Sequence, residues 1–146
     1  MPPLGLSGAA GLFLFRNLAS DIQYMLLRTS YTPDKYWTPP KGYIVQGDDP
    51  VKIAMEATQR ATGYTTEDID VYHKYRRCVK YSVNGHDKEI MFYLAQLTNK
   101  TKAPVLTKGY DCVVWAETNR ACSLLRFRDM KKLTQDMTRI IVENEM

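Results

Sequence analysis

Histidine and cysteine are scarce in this chain of 146 residues, with two of the first and three of the second. Neither occurs in a CxxC or HxxxH pair, which excludes the usual zinc-site spacings. Cys78, Cys112 and Cys122 form an odd set without framework spacing, as expected of a reducing cytoplasmic or nuclear compartment. No apolar run approaches the ~18 residues of a membrane span, and Met1-Pro2-Pro3-Leu4-Gly5 lacks the basic start of a signal peptide. A soluble protein is therefore expected. A strong charge of either sign is missing too: 20 Lys+Arg stand against 16 Asp+Glu, a net +4. That balance allows an anionic ligand and falls short of a dedicated duplex-DNA binder. Repeats, low-complexity tracts and linkers are absent, so residues 1–146 read as one domain. A chain of this length buries roughly 70% of its extended surface.

What is present is an alternation of strand and helix signals. Residues 9–16 (AAGLFLFR) are apolar up to a closing charge, as in a buried strand, and 22–28 (IQYMLLR) read as a second strand. A proline- and aromatic-rich loop follows over 31–42, where Pro33, Pro39 and Pro40 forbid regular helix. Asp48-Asp49-Pro50 is a helix start, because aspartate caps free N–H groups and proline fits the first helical position. Val51, Ala54, Met55, Thr58 and Ala61 then recur at steps of three and four down to Gly63, a natural stop. Strands are expected at about 71–81, 89–97 and 112–116, with Asn84-Gly85 turning between the first two. Phe127, Met130, Leu133, Met137 and Ile140 share one face of a C-terminal helix. The pattern is mixed α/β.

Trp37-Thr38-Pro39-Pro40-Lys41-Gly42 stands directly before the helix that ends at Gly63-Tyr64. This arrangement resembles the entry to a Nudix box, in the form found in the asymmetrical diadenosine tetraphosphate hydrolases. The early strands, the strand around 88–95, Trp115 and the terminal helix fall in that family's order, so the resemblance covers most of the chain. It implies the Nudix fold, an α/β architecture with a mixed β-sheet sandwiched between helices.

A working Nudix box reads G-x5-E-x7-R-E-U-x-E-E-x-G-U, with U bulky and apolar. Glutamates three and four residues apart share one helix face, where they hold Mg²⁺ against a phosphate chain. In this chain Gly42 matches the opening glycine and Asp48 takes the first glutamate position. Glu56 stands at the arginine, Ala57 at the next glutamate, and Arg60 and Ala61 at the final pair, before Gly63 and Tyr64 close the motif. No metal site and no catalytic residue are therefore assigned, and no cofactor is expected. In the later loop the family's glutamate position is held by Gly109, with Asp111 nearby. Arg60 either projects into the vacated metal position as a fixed cation or pairs with Glu56 one turn earlier.

The resemblance also implies ligand positions. Lys41 matches a lysine near the phosphates, and Tyr81 and Lys88 keep the spacing of an adenine-stacking tyrosine and a phosphate-contacting lysine. Phe92 stands where a tyrosine is usual, while Tyr36 and Tyr43 flank the same loop. Tyr81 and Phe92 read equally as residues packed on the sheet, and both lysines as solvated ones. In His73-Lys74-Tyr75-Arg76-Arg77-Cys78-Val79-Lys80-Tyr81, alternation sends Lys74, Arg76 and Lys80 to one face and Tyr75, Arg77 and Tyr81 to the other. Such a ladder suits an RNA backbone or an acidic protein surface, or is simply a solvated face. Arg120, Arg126, Arg128, Lys131 and Lys132 form a further basic cluster.

These residues lead to the expectation of a catalytically inactive Nudix-fold binding protein. Its ligand is a nucleotide or single-stranded RNA, alone or with a protein partner, and neither membrane nor duplex DNA is expected. The alternatives are a protein–protein adaptor without nucleotide ligand, and a residual diadenosine tetraphosphate hydrolase that recruits Glu56, Asp48 or Asp111.

Overall fold

A computed structural model describes residues 7–83 and 85–146, without the side chains of Ser7, Tyr81, Ser82, Val83 and His86. The order is β1 (Ser7–Leu18), β2 (Asp21–Thr29), β3 (Trp37–Thr38), β4 (Lys41–Ile44), α1 (Pro50–Thr62), β5 (Ile69–Val83), β6 (His86–Leu97), β7 (Tyr110–Glu117), α2 (Thr118–Leu125) and α3 (Arg128–Glu143). All seven strands join one mixed sheet with the path β3-β2-β1-β6-β5, to which β4 adds on β1 and β7 on β2. The β1–β6 pair is parallel, running from Ser7 opposite Lys88 to Phe15 opposite Gln96.

Strand β1 is central and covered on both faces, which explains its nearly unbroken apolar run. Ala10, Leu12 and Leu14 face α1 and pack with Met25, Ala54, Met55 and Tyr64. Phe13 and Phe15 face the other way, with Tyr24, Leu26, Leu125, Leu133 and Met137. The sheet is thus sandwiched between α1 and the α2–α3 pair, as the sequence predicts. Each fully buried Leu or Phe contributes about 1.5–3 kcal/mol of transfer free energy.

The chain from 31 to 42, expected as a loop, contains β3 and the first half of β4. β1 and β2 pair with each other only from Phe15 and Tyr24 to Leu18 and Asp21, and then splay apart. β3 fills the edge of β2 thus left open, and β4 that of β1. Pro39 and Pro40 turn the chain from one to the other, and the Pro40 carbonyl accepts from the Leu12 amide at 3.2 Å. Prolines suit this corner because they bring no N–H that would need a ladder partner.

Helix α1 begins and ends where its sequence predicts. The Asp49 carboxylate caps the Val51 amide at 3.1 Å, Pro50 opens the first turn, and Gly63 closes it at φ 80°. Helix α2 is not foreseen in the sequence. It starts straight off β7 at Glu117 with no capping side chain to announce it. Phe127 also departs from expectation: it caps α3 from outside the helix and is 56% exposed instead of joining the buried face. Asn84, half of the expected turn, lies outside the described residues, whereas Gly85 follows it at φ 78°. Among the described residues no helix is long and apolar enough to cross a membrane.

Candidate functional site

Strand β4 is the hinge of the site. Lys41 and Tyr43 lie opposite Gly11 and Ala9 of β1, while Gly42 between them turns to α1. A Cβ on Gly42 would stand 3.1 Å from the Ala57 Cβ and 3.3 Å from Ile53 Cγ2, so only glycine permits this approach of helix to strand. Gly11 is equally constrained. A Cβ there would collide with the Pro40 carbonyl and lie 2.8 Å from Phe92 Cε1.

On the Lys41 side of β4, Lys41 lies within the electrostatic reach of Lys88. Lys41 is half-buried, and burial first and the charge of Lys88 second hold its pKa below the ordinary lysine value. Its ammonium lies 5.4 Å from the centre of the Tyr36 ring. Among the described residues no carboxylate pairs with either lysine. Two lysines that feel each other's charge, neither of them paired with a described carboxylate, make this face of the sheet attractive to an anion. Lys88 stands opposite Tyr81 in the β5–β6 ladder, but the Tyr81 side chain is outside the described ones. Phe92 is corrected as a stacking residue. It is fully buried, edge-on to Phe13 with centroids 6.2 Å apart, because its backbone lies opposite Gly11 beneath the Pro40 corner.

On the α1 side Arg60 reaches back over the strand. Its Nη2 comes within 3.5 Å of the point where a Gly42 Cβ would be. Among the described residues no ion pair joins it to Glu56. Its neighbour is instead Tyr110, whose pKa is raised by burial and by Tyr31 and lowered by the Arg60 charge. Tyr31 and Tyr110 meet edge-to-face at 6.4 Å, and Tyr43 projects nearby at 78% exposure. Sequence reasoning misses Tyr31 and Tyr110 because they lie about thirty and fifty residues from Arg60 with no spacing to connect them; the β2–β7 pairing, with Thr29 opposite Tyr110, brings the two rings together.

Divalent metal chemistry requires converging oxygen ligands. Among the described residues no three Asp, Glu, His or Cys side chains gather to supply them. Ala57 and Ala61 are buried methyl groups, and the exposed Glu56 is the one acidic residue of α1. The Asp48 carboxylate accepts from the Val45 amide at 2.9 Å, and Asp111 is held by Arg28 at 2.7 Å and Lys35 at 3.4 Å. The Arg28 contact chiefly, with Lys35, keeps the Asp111 carboxyl below its usual range. These residues do not fit a magnesium cage.

The basic strand is less regular than alternation predicts. Its register against β6 shifts between Tyr72 and Arg76, which breaks the phase between Lys74 and Arg76. Lys74 lies over the Tyr75 ring at 5.1 Å, while Arg76 and Arg77 donate to the backbone carbonyls of His73 and Arg76. Lys80 stands opposite Glu89. No continuous cationic ladder results.

No family model matches the chain. It is similar to the asymmetrical bis(5'-nucleosyl)-tetraphosphatase of Caenorhabditis elegans, with 30% identity over 125 residues, covering 86% of this chain and 89% of that protein. The mouse tetraphosphatase of the same name is 27% identical over 88% of this chain and 90% of its own length. The fold superposes on a C. elegans Ap4A hydrolase binary complex with a TM-score of 0.89 at 28% identity, over 94% of this chain and 99% of that one. A Nudix hydrolase from M. smegmatis, RenU, shares the fold at 16% identity with a TM-score of 0.75. These similarities correct the expectation of a catalytically inactive binding protein, since the relatives matched over most of the chain are named as hydrolases. With its WTPPKG corner, its sandwiched mixed sheet and its extended identity, this chain belongs to the asymmetrical bis(5'-nucleosyl)-tetraphosphatase family and has the Nudix fold.

Proposed function

We propose that this chain is a slow hydrolase of asymmetrically cleaved dinucleoside tetraphosphates, with a degenerate Nudix box whose charge is supplied by fixed cations. The observation that carries this reading is Lys41, beside the Tyr36 ring and within the electrostatic reach of Lys88, with no carboxylate paired to either lysine among the described residues, in a chain of tetraphosphatase descent. A tetraphosphate bridge laid along β4 would meet Lys41 and Lys88 on one side of the strand and Arg60 on the other. The Tyr36 and Tyr43 rings stand where a base could stack, and the guanidinium of Arg60 offers a planar fork to phosphate oxygens. Water adds to the phosphorus at one end of the bridge and one P–O–P bond breaks. The nucleoside triphosphate leaves with the bonding electrons, the nucleoside monophosphate remains, and the proton of the water passes to solvent.

Without a metal-ligand cluster, turnover is expected to be at least ~10²-fold slower than in a relative that has one, the scale of losing a preorganised electrostatic group. The test is incubation with diadenosine tetraphosphate and chromatography of the products. ATP and AMP in equal amounts, above the buffer background and unaffected by EDTA, are expected. Arg60→Glu and Lys88→Ala should each lower kcat/KM at least about tenfold, a loss of roughly 1.4 kcal/mol in transition-state binding. Product no faster than in buffer, even with enzyme in excess, would overturn the proposal. Turnover abolished by Glu56→Gln would assign the chemistry to that carboxylate instead of the cations.

A further inference from the structure

A second concentration of positive charge lies on α3 and shares no residue with the cleft. Arg126, Arg128, Lys131, Lys132 and Arg139 line an open hollow of about 600 Å³. Steps of three and four residues put Arg128, Lys131, Lys132 and Arg139 on one helix face, opposite the buried Met130, Leu133, Met137 and Ile140. Arg139 is paired with Asp136 at 3.2 Å and Arg126 with Asp34 at 3.3 Å. Among the described residues, Arg128, Lys131 and Lys132 have no ion pair.

This placement costs the fold stability. Three cations crowd the first turns of a sixteen-residue helix, where the backbone dipole is already positive and Asp129 is the one acidic residue. Like charges three and four residues apart repel as well. No side chain caps the helix start, so its free N–H groups add to the same positive end. An anion in the hollow relieves all three penalties together.

The turn before α3 adds an aromatic surface. The Phe127 amide donates to the Leu125 carbonyl at 2.6 Å around Arg126 at φ 63° and ψ −42°, a strained γ-turn. It leaves Phe127 exposed with the Arg126 guanidinium 5.5 Å from its ring centre. Guanidinium forks match phosphate oxygens, and an exposed ring beside them gives a base a face to stack on. An acidic protein segment would use the charges and leave the ring idle, and the concave shape does not suit a flat membrane.

We propose that this hollow binds single-stranded nucleic acid, with Arg128, Lys131 and Lys132 on the phosphates and Phe127 against a base. The test measures anisotropy of fluorescent oligouridylate and oligoadenylate with the intact chain. Three phosphate contacts imply a log–log salt slope of about −2, or roughly 20-fold weaker binding from 50 to 200 mM salt. The Arg128→Glu/Lys131→Glu/Lys132→Glu variant is expected to bind at least ~10-fold more weakly, with a flatter salt slope. If its circular dichroism differs from the parent, Arg128→Gln/Lys132→Gln serves in its place. Phe127→Ala should weaken binding and leave the salt slope unchanged. Equal binding by parent and charge variants overturns the proposal. So does competition by diadenosine tetraphosphate, which would move the strand to the cleft, and so does preference for polyglutamate.

Discussion

Lys41 owes its chemistry to a small set of neighbours. Its ammonium is partly desolvated and feels the charge of Lys88, so the folded protein releases its proton more easily than a free lysine does. Only the protonated form attracts phosphate. Affinity for a non-hydrolysable dinucleoside tetraphosphate is therefore expected to fall as pH rises, beginning below the ordinary lysine pKa of 10.5. Lys88→Gln removes the second cause and should move that fall to higher pH. Calorimetric titration from neutral to alkaline pH checks this, and a parent and variant with the same onset would refute it. At this scale the sequence is partly legible. The WTPPKG string singles out Lys41, and the family resemblance adds Lys88 through its spacing from Tyr81, without any coordinates. Phe92 misleads because its position in a motif is shared by exposed and buried rings alike, and only the Gly11–Pro40 contact decides between them.

Among the elements, α1 is the clearest in sequence because its ends are chemical. Asp49, Pro50 and Gly63 act on backbone groups within a few residues of themselves. Strands β3 and β4 are invisible for the opposite reason. Two and four residues long, they exist only because β1 and β2 diverge and leave edges to be paired. The close seating of α1 on β4 gives a direct prediction. Gly42→Ala pushes a methyl group against Ala57 and Ile53, at an expected cost of about 1–3 kcal/mol. Urea denaturation measures it; an unchanged midpoint would mean that the helix yields without cost. The same displacement would carry Arg60 away from the strand, so tetraphosphate affinity should fall with stability.

At the level of the molecule, the net charge of +4 proves less informative than its distribution. Cations gather at the cleft, along β5 and on α3, while Asp68 ties together segments from three parts of the chain. Asp68 is buried and accepts from the Thr65 amide at 2.9 Å, Asn99 Nδ2 at 2.9 Å and Lys102 Nζ at 2.8 Å. Lys102 also donates to the Gly63 carbonyl at 3.2 Å, so the network ties the end of α1 to the chain before β5 and after β6. Lys102 foremost, then Thr65 and Asn99, hold the Asp68 carboxyl far below its usual range. A carboxyl whose folded pKa is depressed contributes stability above its unfolded pKa of 3.8 and loses it as pH falls toward the folded value. Asp68→Asn is expected to melt at lower temperature at neutral pH and to lose less stability than the parent below about pH 4. Thermal melts followed by circular dichroism from pH 7 to the acid limit test it, and parallel losses in both proteins would exclude this linkage.

The parallel pairing of β1 with β6 also sets an order of events in time. Ser7 and Lys88, neighbours in the sheet, are about eighty residues apart along the chain, a separation that raises contact order and slows folding. β1 is synthesised some eighty residues ahead of β6, so it waits for that strand before its second edge is satisfied. Until then its run of Leu12, Phe13, Leu14 and Phe15 presents an open apolar edge of the kind that seeds aggregation. A strand that joins both halves of the finished core is thus a vulnerable segment of the nascent chain.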